Sequence, residues 1–172
     1  MQEILTDYEL IVDSSEQSRE RPGEYKEQKK YYSGKKKYHT FKNQITVLPS
    51  GKDIVDVIAG EPGQKSDINL FRSGQNGFNP NQKFKGDKGY EGEASINTPT
   101  KKPKKGELTE SQKDKNKELA SERIFVEHLI RLIKVFRVAS ERFRLNPSKY
   151  EQIIMTICGI VRLRIGTLVL PI

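Results

Sequence analysis

Three carboxylates in this chain have the residue types and the order expected of a site for a hard cation. Asp13 follows an apolar run at residues 10–12, Asp87 lies in Gly-Asp-Lys-Gly-Tyr, and Glu127 lies in Arg-x-x-x-Glu-x-x-x-x-x-x-Lys. Mg²⁺ prefers oxygen ligands, and two such ions can clamp the attacking and leaving oxygens of a phosphodiester. The three acids therefore predict a phosphoryl-transfer site if the fold brings them together.

A fourth acid, Asp67, lies at the predicted start of a helix. Ser66 has the residue type that caps a helix beginning near Asp67. An acid in the first turn of a helix is stabilised by the helix dipole without any further role.

The hydrophobic pattern predicts a mixed α/β fold with a ribonuclease H-like sheet, in which strands 1–3 are antiparallel and helices flank the sheet. The predicted strands cover residues 8–12, 44–48, 54–59 and 83–85. In such a sheet, the first strand and the end of the fourth lie side by side, so Asp13 and Asp87 become neighbours. Glu127 completes the set from a helix that crosses the sheet.

One domain over residues 1–172 suits the chain length. Within it, the lysine-rich segment 97–117 predicts a flexible basic loop, and helices are predicted over residues 109–170. The last of them is apolar, but Arg162 and Arg164 disfavour a membrane span, so we predict a core helix and no membrane association.

The charge balance favours a polyanionic partner. Lysine and arginine together number 31 against 23 acids, a formal net charge of +8, and basic side chains that neutralise phosphates release counterions. The only cysteine, Cys158, excludes an intramolecular disulfide. It predicts a buried apolar position and a reducing, cytoplasmic location.

Basic residues in two lysine runs and beside the acids are the candidate phosphate contacts, because flexible lysines neutralise phosphate without reading base identity. For Arg123 and Lys134, the alternative is an ordinary intrahelical ion pair. The candidates are Lys35, Lys36, Lys37, His39, Lys42, Lys101, Lys102, Lys104, Lys105, Arg123 and Lys134.

Several segments together resemble a known family. They are Val12-Asp13-Ser14, residues 31–40, Lys42-Asn43-Gln44, Pro62-Gly63 with Asp67, residues 86–90 and residues 122–128. Across nearly the whole chain the sequence resembles insertion-sequence transposases of the DDE endonuclease superfamily, in the branch related to Harbinger-type elements. The spacing of Arg123, Glu127 and Lys134 matches a signature of such transposases, whereas the tyrosine that leads this signature falls on Ala120.

The resemblance implies metal-dependent cleavage of DNA at transposon ends, followed by strand transfer into target DNA. By transfer, Asp13, Asp87 and Glu127 would bind Mg²⁺ or Mn²⁺, as two ions. Asp67, which follows the matching Pro62-Gly63, is the alternative second ligand, and we favour Asp87 because it follows a predicted strand. It also implies a prokaryotic, nucleoid-associated protein that works as a homo-oligomer.

Members of this family usually carry an amino-terminal helix-turn-helix region, which this sequence does not show. We therefore expect either a separate DNA-recognition polypeptide or a catalytic domain alone. The alternative function is an inactive transposase remnant or a co-opted DNA-binding protein. A generic RNA-binding module, using Tyr31, Tyr32 and Tyr38 for stacking, is a third possibility.

Overall fold

The computed structural model describes residues 5–104 and 106–167, and its centre is a five-stranded mixed sheet of order β3-β2-β1-β4-β5. The strands are β1 (Leu10–Ser18), β2 (Thr40–Val47), β3 (Ile54–Pro62), β4 (Phe84–Lys85) and β5 (Ile96–Asn97). β1, β2 and β3 pair antiparallel, whereas β4 runs parallel to both β1 and β5. The predicted mixed sheet of ribonuclease H-like type is thereby confirmed.

Helices cover both faces of this sheet. They are α1 (Tyr25–Tyr31), α2 (Asp67–Gly74), α3 (Glu110–Lys134), α4 (Arg137–Ser140) and α5 (Tyr150–Thr167), with short 3₁₀ turns at Gln75–Gly77, Lys88–Tyr90 and Pro147–Lys149. Among the described residues, no helix has the length and apolarity that crossing a membrane requires.

The side-chain alternation of β1 divides the core into two layers. Ile11 packs with the apolar residues of α3 and α5, including Val126 and Ile154. Leu10 and Val12 point the other way and pack with a smaller cluster that includes Phe71 of α2. Successive residues of a strand face opposite sides of the sheet, so the residues after Val12 alternate between the same two layers.

The first strand differs from the prediction at both ends. It begins at Leu10 rather than Tyr8, and it continues past Val12 to Ser18, so Asp13 lies inside the strand and not at its end. Backbone pairing explains the extension, because every residue from Ile11 to Ser18 has a partner in β2, up to Ser18 opposite Thr40. The predicted end at Val12 is therefore wrong. The residues after Val12 are polar, so the hydrophobic pattern that defined the predicted strand could not show that they pair with β2.

Other boundaries shift for similar reasons. β2 begins four residues earlier than predicted and β3 ends three residues later, while α1 and β5 were not predicted. α3 starts at Glu110, where Thr109 and Gln112 form a capping box. Residues 110–117 of the predicted loop are consequently helical. The predicted end of the last helix, at residues 168–170, lies outside the described residues.

Cys158 is buried in α5 as predicted, with 4% of its surface exposed. Burial also raises the pKa of its thiol to about 11, because an apolar surrounding disfavours the thiolate. The side chain therefore serves as a small apolar group in the core.

Tyr150 ties α5 to the sheet through a buried hydroxyl. The hydroxyl donates to Gln17 Oε1 at 2.9 Å and accepts from Asn43 Nδ2 at 2.7 Å. We predict that Tyr150→Phe lowers the free energy of unfolding by about 1 to 3 kcal/mol, because both amides lose a buried partner. Urea unfolding measures this, and Tyr25→Phe, at a ring that is 79% exposed, is the matched control. An equally small effect of both substitutions would contradict the prediction.

Candidate active site

The alternation of β1 points Asp13 toward α3, on the same face as Ile11. There Arg123 Nη2 lies 3.8 Å from Asp13 Oδ2 and 3.9 Å from Glu127 Oε1. Arg123 and Glu127 are one helical turn apart, so both project from one side of α3. The Asp13 and Arg123 side chains are 16% and 17% exposed, and Glu127 is 46% exposed. Arg123 therefore connects the first and third predicted acids at the edge of a buried layer.

Asp87 approaches Asp13 from the neighbouring strand. The parallel pair β1–β4 sets Ile11 opposite Lys85, and two further residues on each chain bring Asp87 beside Asp13. Asp87 also caps the 3₁₀ turn at Lys88–Tyr90, because its Oδ1 accepts a hydrogen bond from Gly89 N at 2.7 Å. The end of β4 and this turn together fix the position of its carboxylate.

The electrostatics of Asp13 show that these acids influence one another. Burial raises the pKa of Asp13 to about 6; Arg123 and the Ser14 amide oppose this rise, while Asp87 and Glu127 add to it. A carboxylate near like charges gives up its proton less readily. Asp13 is therefore the charge that would gain most from a bound cation.

Asp67 lies on the opposite face of β1, where Ser14 points. Its Oδ1 accepts hydrogen bonds from Ser14 Oγ at 2.6 Å and from Lys42 Nζ at 3.0 Å. Lys42 also donates to the Lys65 carbonyl at 2.6 Å and lies 3.9 Å from Glu16 Oε1. Only 8% of the Lys42 side chain is exposed. A buried lysine thus holds the Asp67 carboxylate in place.

Gly89 separates the Asp67 and Asp87 carboxylates. A Cβ at this position would lie 2.7 Å from Asp67 Oδ2 and 2.8 Å from Asp87 Oδ1, closer than van der Waals contact permits. Below them, burial raises the pKa of Tyr90, and the charges of Asp67, Asp13 and Asp87 add to that rise. Both observations place Asp67 and Asp87, the two candidates for the second ligand, near Asp13.

A cleft of about 580 Å³ opens over this region. Asp13, Asp67 and Glu127 contribute to its lining, whereas Asp87 does not. Its basic lining residues are Lys35, Lys36, Lys42, Lys65, Arg131 and Lys134. Burial and nearby Lys36 lower the pKa of Lys134. Acids and bases therefore face the same open space.

The remaining candidate phosphate contacts lie away from this cleft. His39 lines a second cavity. Lys37 is exposed but does not line the cleft, and Lys104 is exposed in the loop after β5. In that loop Lys101 pairs with Glu91, and Lys102 lies 3.7 Å from Glu107. Lys105 lies outside the described residues.

The carboxylate oxygens of the three predicted acids are the ligand type that a divalent cation prefers. Arg123, however, occupies the space between Asp13 and Glu127. Within residues 5–104 and 106–167, no three His, Cys, Asp or Glu side chains are close enough to hold a metal. Asp13 is a partly buried carboxyl with two like charges nearby. Arg123 Nε is buried without a hydrogen-bond partner among the described residues. A cation would offset the repulsion between Asp13 and the neighbouring acids, and a phosphate oxygen would give Arg123 Nε a hydrogen-bond acceptor.

Comparison with known proteins identifies the family of this chain. The family described as DDE superfamily endonuclease matches residues 12–162. The chain belongs to this family. No solved structure matches it.

A relative of this chain is the probable transposase for insertion sequence element IS702 from Microchaete diplosiphon. The two are 36% identical over 145 residues, which are 82% of this chain and 51% of that protein. The chain thus spans about half the length of the relative. The resemblance to insertion-sequence DDE transposases is confirmed, while the Harbinger-related branch stays a prediction.

Sequence patterns missed several polar residues of the cleft, among them Ser14, Glu16 and Arg131. Ser14 was noted only as part of a motif, and Glu16 and Arg131 were not singled out. Ser14 and Glu16 alternate with Asp13 and Ser15 along β1, and Arg131 lies one turn after Glu127 on α3. Ser14 and Glu16 could have been found from the alternation of side chains along β1, had the strand been predicted to extend past Val12.

The raised pKa of Asp13 predicts a pH-dependent stability difference. Because the folded chain binds this proton more tightly than the unfolded chain, the fold loses stability as the pH rises from the ordinary carboxyl pKa of 3.8 to about 6, and the full loss is present above that pH. Asp13→Asn should therefore be more stable than the native chain by about 1 to 3 kcal/mol at neutral pH. This advantage should shrink as the pH falls toward the ordinary carboxyl pKa.

Urea unfolding of both chains across this pH range measures the difference. Asp114→Asn is the matched control, since Asp114 is an exposed acid on α3. An Asp13→Asn advantage that is absent, or that does not vary with pH, would contradict burial as the main influence on this carboxyl.

Proposed function

We propose that this chain is the catalytic domain of a transposase that hydrolyses DNA at transposon ends and transfers the cut strand to target DNA. Asp13, Asp87 and Glu127 would hold the Mg²⁺ or Mn²⁺ ions. The observation that carries the proposal is the convergence of Asp13 and Glu127 on Arg123, at 3.8 and 3.9 Å, beside a basic cleft. When bound, the cation would lower the pKa of the attacking water or 3′ hydroxyl and offset charge on the phosphate.

Arg123 would hold the acids together and then contact phosphate. In the described arrangement its guanidinium joins Asp13 and Glu127 through two long ion pairs at 3.8 and 3.9 Å. Such long pairs are weaker than direct charge-assisted hydrogen bonds. Arg123 would therefore be free to contact a phosphate oxygen if Asp13 and Glu127 held a cation.

Asp67 is better suited to positioning than to cation binding. Its Oδ1 is already occupied by the Ser14 hydroxyl and the Lys42 ammonium. We therefore assign the second ligand position to Asp87 and give Asp67 the role of fixing Ser14 beside Asp13. The Lys42 ammonium is engaged with Asp67 and the Lys65 carbonyl, so Lys42 would support the cleft and not bind DNA.

Basic side chains of the cleft would hold the DNA backbone. Lys35, Lys36, Arg131 and Lys134 surround the acids on the cleft surface, and cations placed there neutralise phosphates near the site of cleavage. The exposed lysines of the loop after β5 would extend this contact along the duplex. Recognition of the transposon ends would come from another segment or polypeptide, and a homo-oligomer would bring two ends together.

The alternative is a DNA-binding protein without turnover, an inactive or co-opted relative of the transposases. The position of Arg123 between Asp13 and Glu127 favours it, because a guanidinium there neutralises the acids without a cation. The same basic cleft would bind DNA in either case, so catalysis must be measured directly.

Metal-dependent nicking of supercoiled plasmid distinguishes these functions. We predict nicking that requires Mg²⁺ or Mn²⁺ and that falls at least about 100-fold in Asp13→Asn, Asp87→Asn and Glu127→Gln. Asp67→Asn should retain more activity, losing about 10-fold, as expected for a residue that orients others. Asp114→Asn is the control and should match the native chain.

Two results would contradict these assignments. Full loss in Asp67→Asn with activity retained in Asp87→Asn would move the second ligand to Asp67. DNA binding by the native chain without any metal-dependent nicking would establish the alternative function.

A further inference from the structure

Two tyrosines at α1 are not used by the core. Tyr25, Gln28 and Lys29 share one face of α1 at positions i, i+3 and i+4, and Tyr32 directly follows the helix as its C-terminal cap. Tyr25 and Tyr32 are 79% and 42% exposed. Exposed aromatic rings offer flat surfaces to a ligand.

The other side of α1 supplies its attachment to the core. The Tyr31 ring meets the Phe41 ring edge-on at a centroid distance of 5.5 Å, and the Arg19 guanidinium lies 4.0 Å above Tyr31. Tyr31 attaches the helix to the core, so the exposed rings of Tyr25 and Tyr32 are not required for this packing.

These rings line a second cavity of about 530 Å³, which we name the tyrosine pocket. Its other lining residues include Arg21, Lys29, His39 and Gln64. The Tyr32 and His39 rings meet edge to face with centroids 5.7 Å apart. The size lies in the range of small-ligand sites, and the lining combines aromatic faces with cations.

The tyrosine pocket adjoins the basic cleft. Gly34 and Gln64 line both cavities, and Lys35 and Lys36 on the cleft side directly follow Gly34 in the chain. The two cavities therefore meet at Gly34 and Gln64.

Hydrogen bonds fix the pocket wall before any ligand arrives. Arg21 donates to Gln28 Oε1 at 2.8 Å, and Gln28 Nε2 donates to the Pro22 carbonyl at 2.8 Å. Burial lowers the pKa of His39, and Arg21 and Arg19 lower it further, so this ring is neutral near pH 7. The pocket thus presents uncharged rings framed by Arg21 and Lys29.

We propose that the tyrosine pocket binds an unpaired base of the DNA strand held in the cleft, by stacking on Tyr32 and Tyr25. This inference rests on the proposed DNA substrate and adds a single-stranded segment to it. Aromatic rings stack on any base, and nearby cations track the backbone of a single strand. Arg21 and Lys29 are placed to contact the phosphates on either side of that base.

Binding of a labelled oligodeoxythymidine without metal tests the inference separately from catalysis. Fluorescence anisotropy compares this strand with an abasic strand that has the same number of phosphates. Tyr32→Ala should weaken binding of the base-containing strand roughly 5- to 150-fold and leave the abasic strand unaffected. Tyr25→Ala should act in the same direction, and Tyr32→Phe, which keeps the ring, should bind within about 2-fold of the native chain.

Tyr8→Ala is the matched control. Tyr8 is 48% exposed and precedes β1, at the opposite end of that strand from His39. It should leave binding of both strands unchanged. Because Tyr25 is largely exposed, Tyr25→Ala tests stacking even if Tyr32→Ala fails to fold.

The inference is overturned if neither tyrosine variant changes the ratio of base-containing to abasic binding, or if a ribo-oligomer of the same sequence binds more tightly than the deoxy strand. If the native chain nicks plasmid DNA, either of these two binding results would leave the proposed function intact. Stacking by a chain that never nicks would support the tyrosine pocket and refute the proposed catalysis.

Discussion

The alternation of side chains along β1 determines how the candidate site is built. Ile11 and Asp13 face α3, while Val12 and Ser14 face α2, so two adjacent residues serve two different layers. A shift of one residue in the pairing with β2 would move Asp13 into the Asp67 layer and leave Arg123 without it. The long antiparallel ladder between β1 and β2 prevents that shift.

The alternation along β1 places the Asp13 carboxylate in a buried position near Asp87 and Glu127, where its ionisation is unfavourable. Asp13 has its pKa raised to about 6 because it is buried near two other acids, and Arg123 compensates only in part. Asp67, by contrast, accepts hydrogen bonds at its Oδ1 from a hydroxyl and from a buried ammonium. Incomplete compensation at a cleft is typical of sites that bind a charged ligand, and it distinguishes the two layers around β1.

The sequence predicted those parts of the structure that depend on local pattern. The apolar run before Asp13, the short strand before Asp87 and the helical spacing of Arg123, Glu127 and Lys134 each placed an element correctly. The cap at Ser66 was also confirmed, since its hydroxyl accepts a hydrogen bond from Asn69 N. Local hydrophobicity and capping chemistry are readable without knowing the partners.

The missed features depend on contacts between distant residues. Ser14–Ser18 look like a polar loop, and only pairing with β2 makes them a strand. Lys42 reads as a basic surface residue, yet its ammonium reaches Asp67, 25 positions later. The separation of Asp67 and Asp87 by Gly89 depends on two elements meeting at a turn. Such relations follow from tertiary packing, which single-sequence patterns do not encode.

Binding of Mn²⁺ to the DNA-free chain, followed by electron paramagnetic resonance, tests most directly whether the acids around Asp13 form a cation site. We expect the native chain and Asp67→Asn to bind Mn²⁺, and we expect Asp13→Asn to bind it at least about 10-fold more weakly. Equal binding by the native chain and Asp13→Asn, or no binding by the native chain, would show that Arg123 and not a cation holds these carboxylates together.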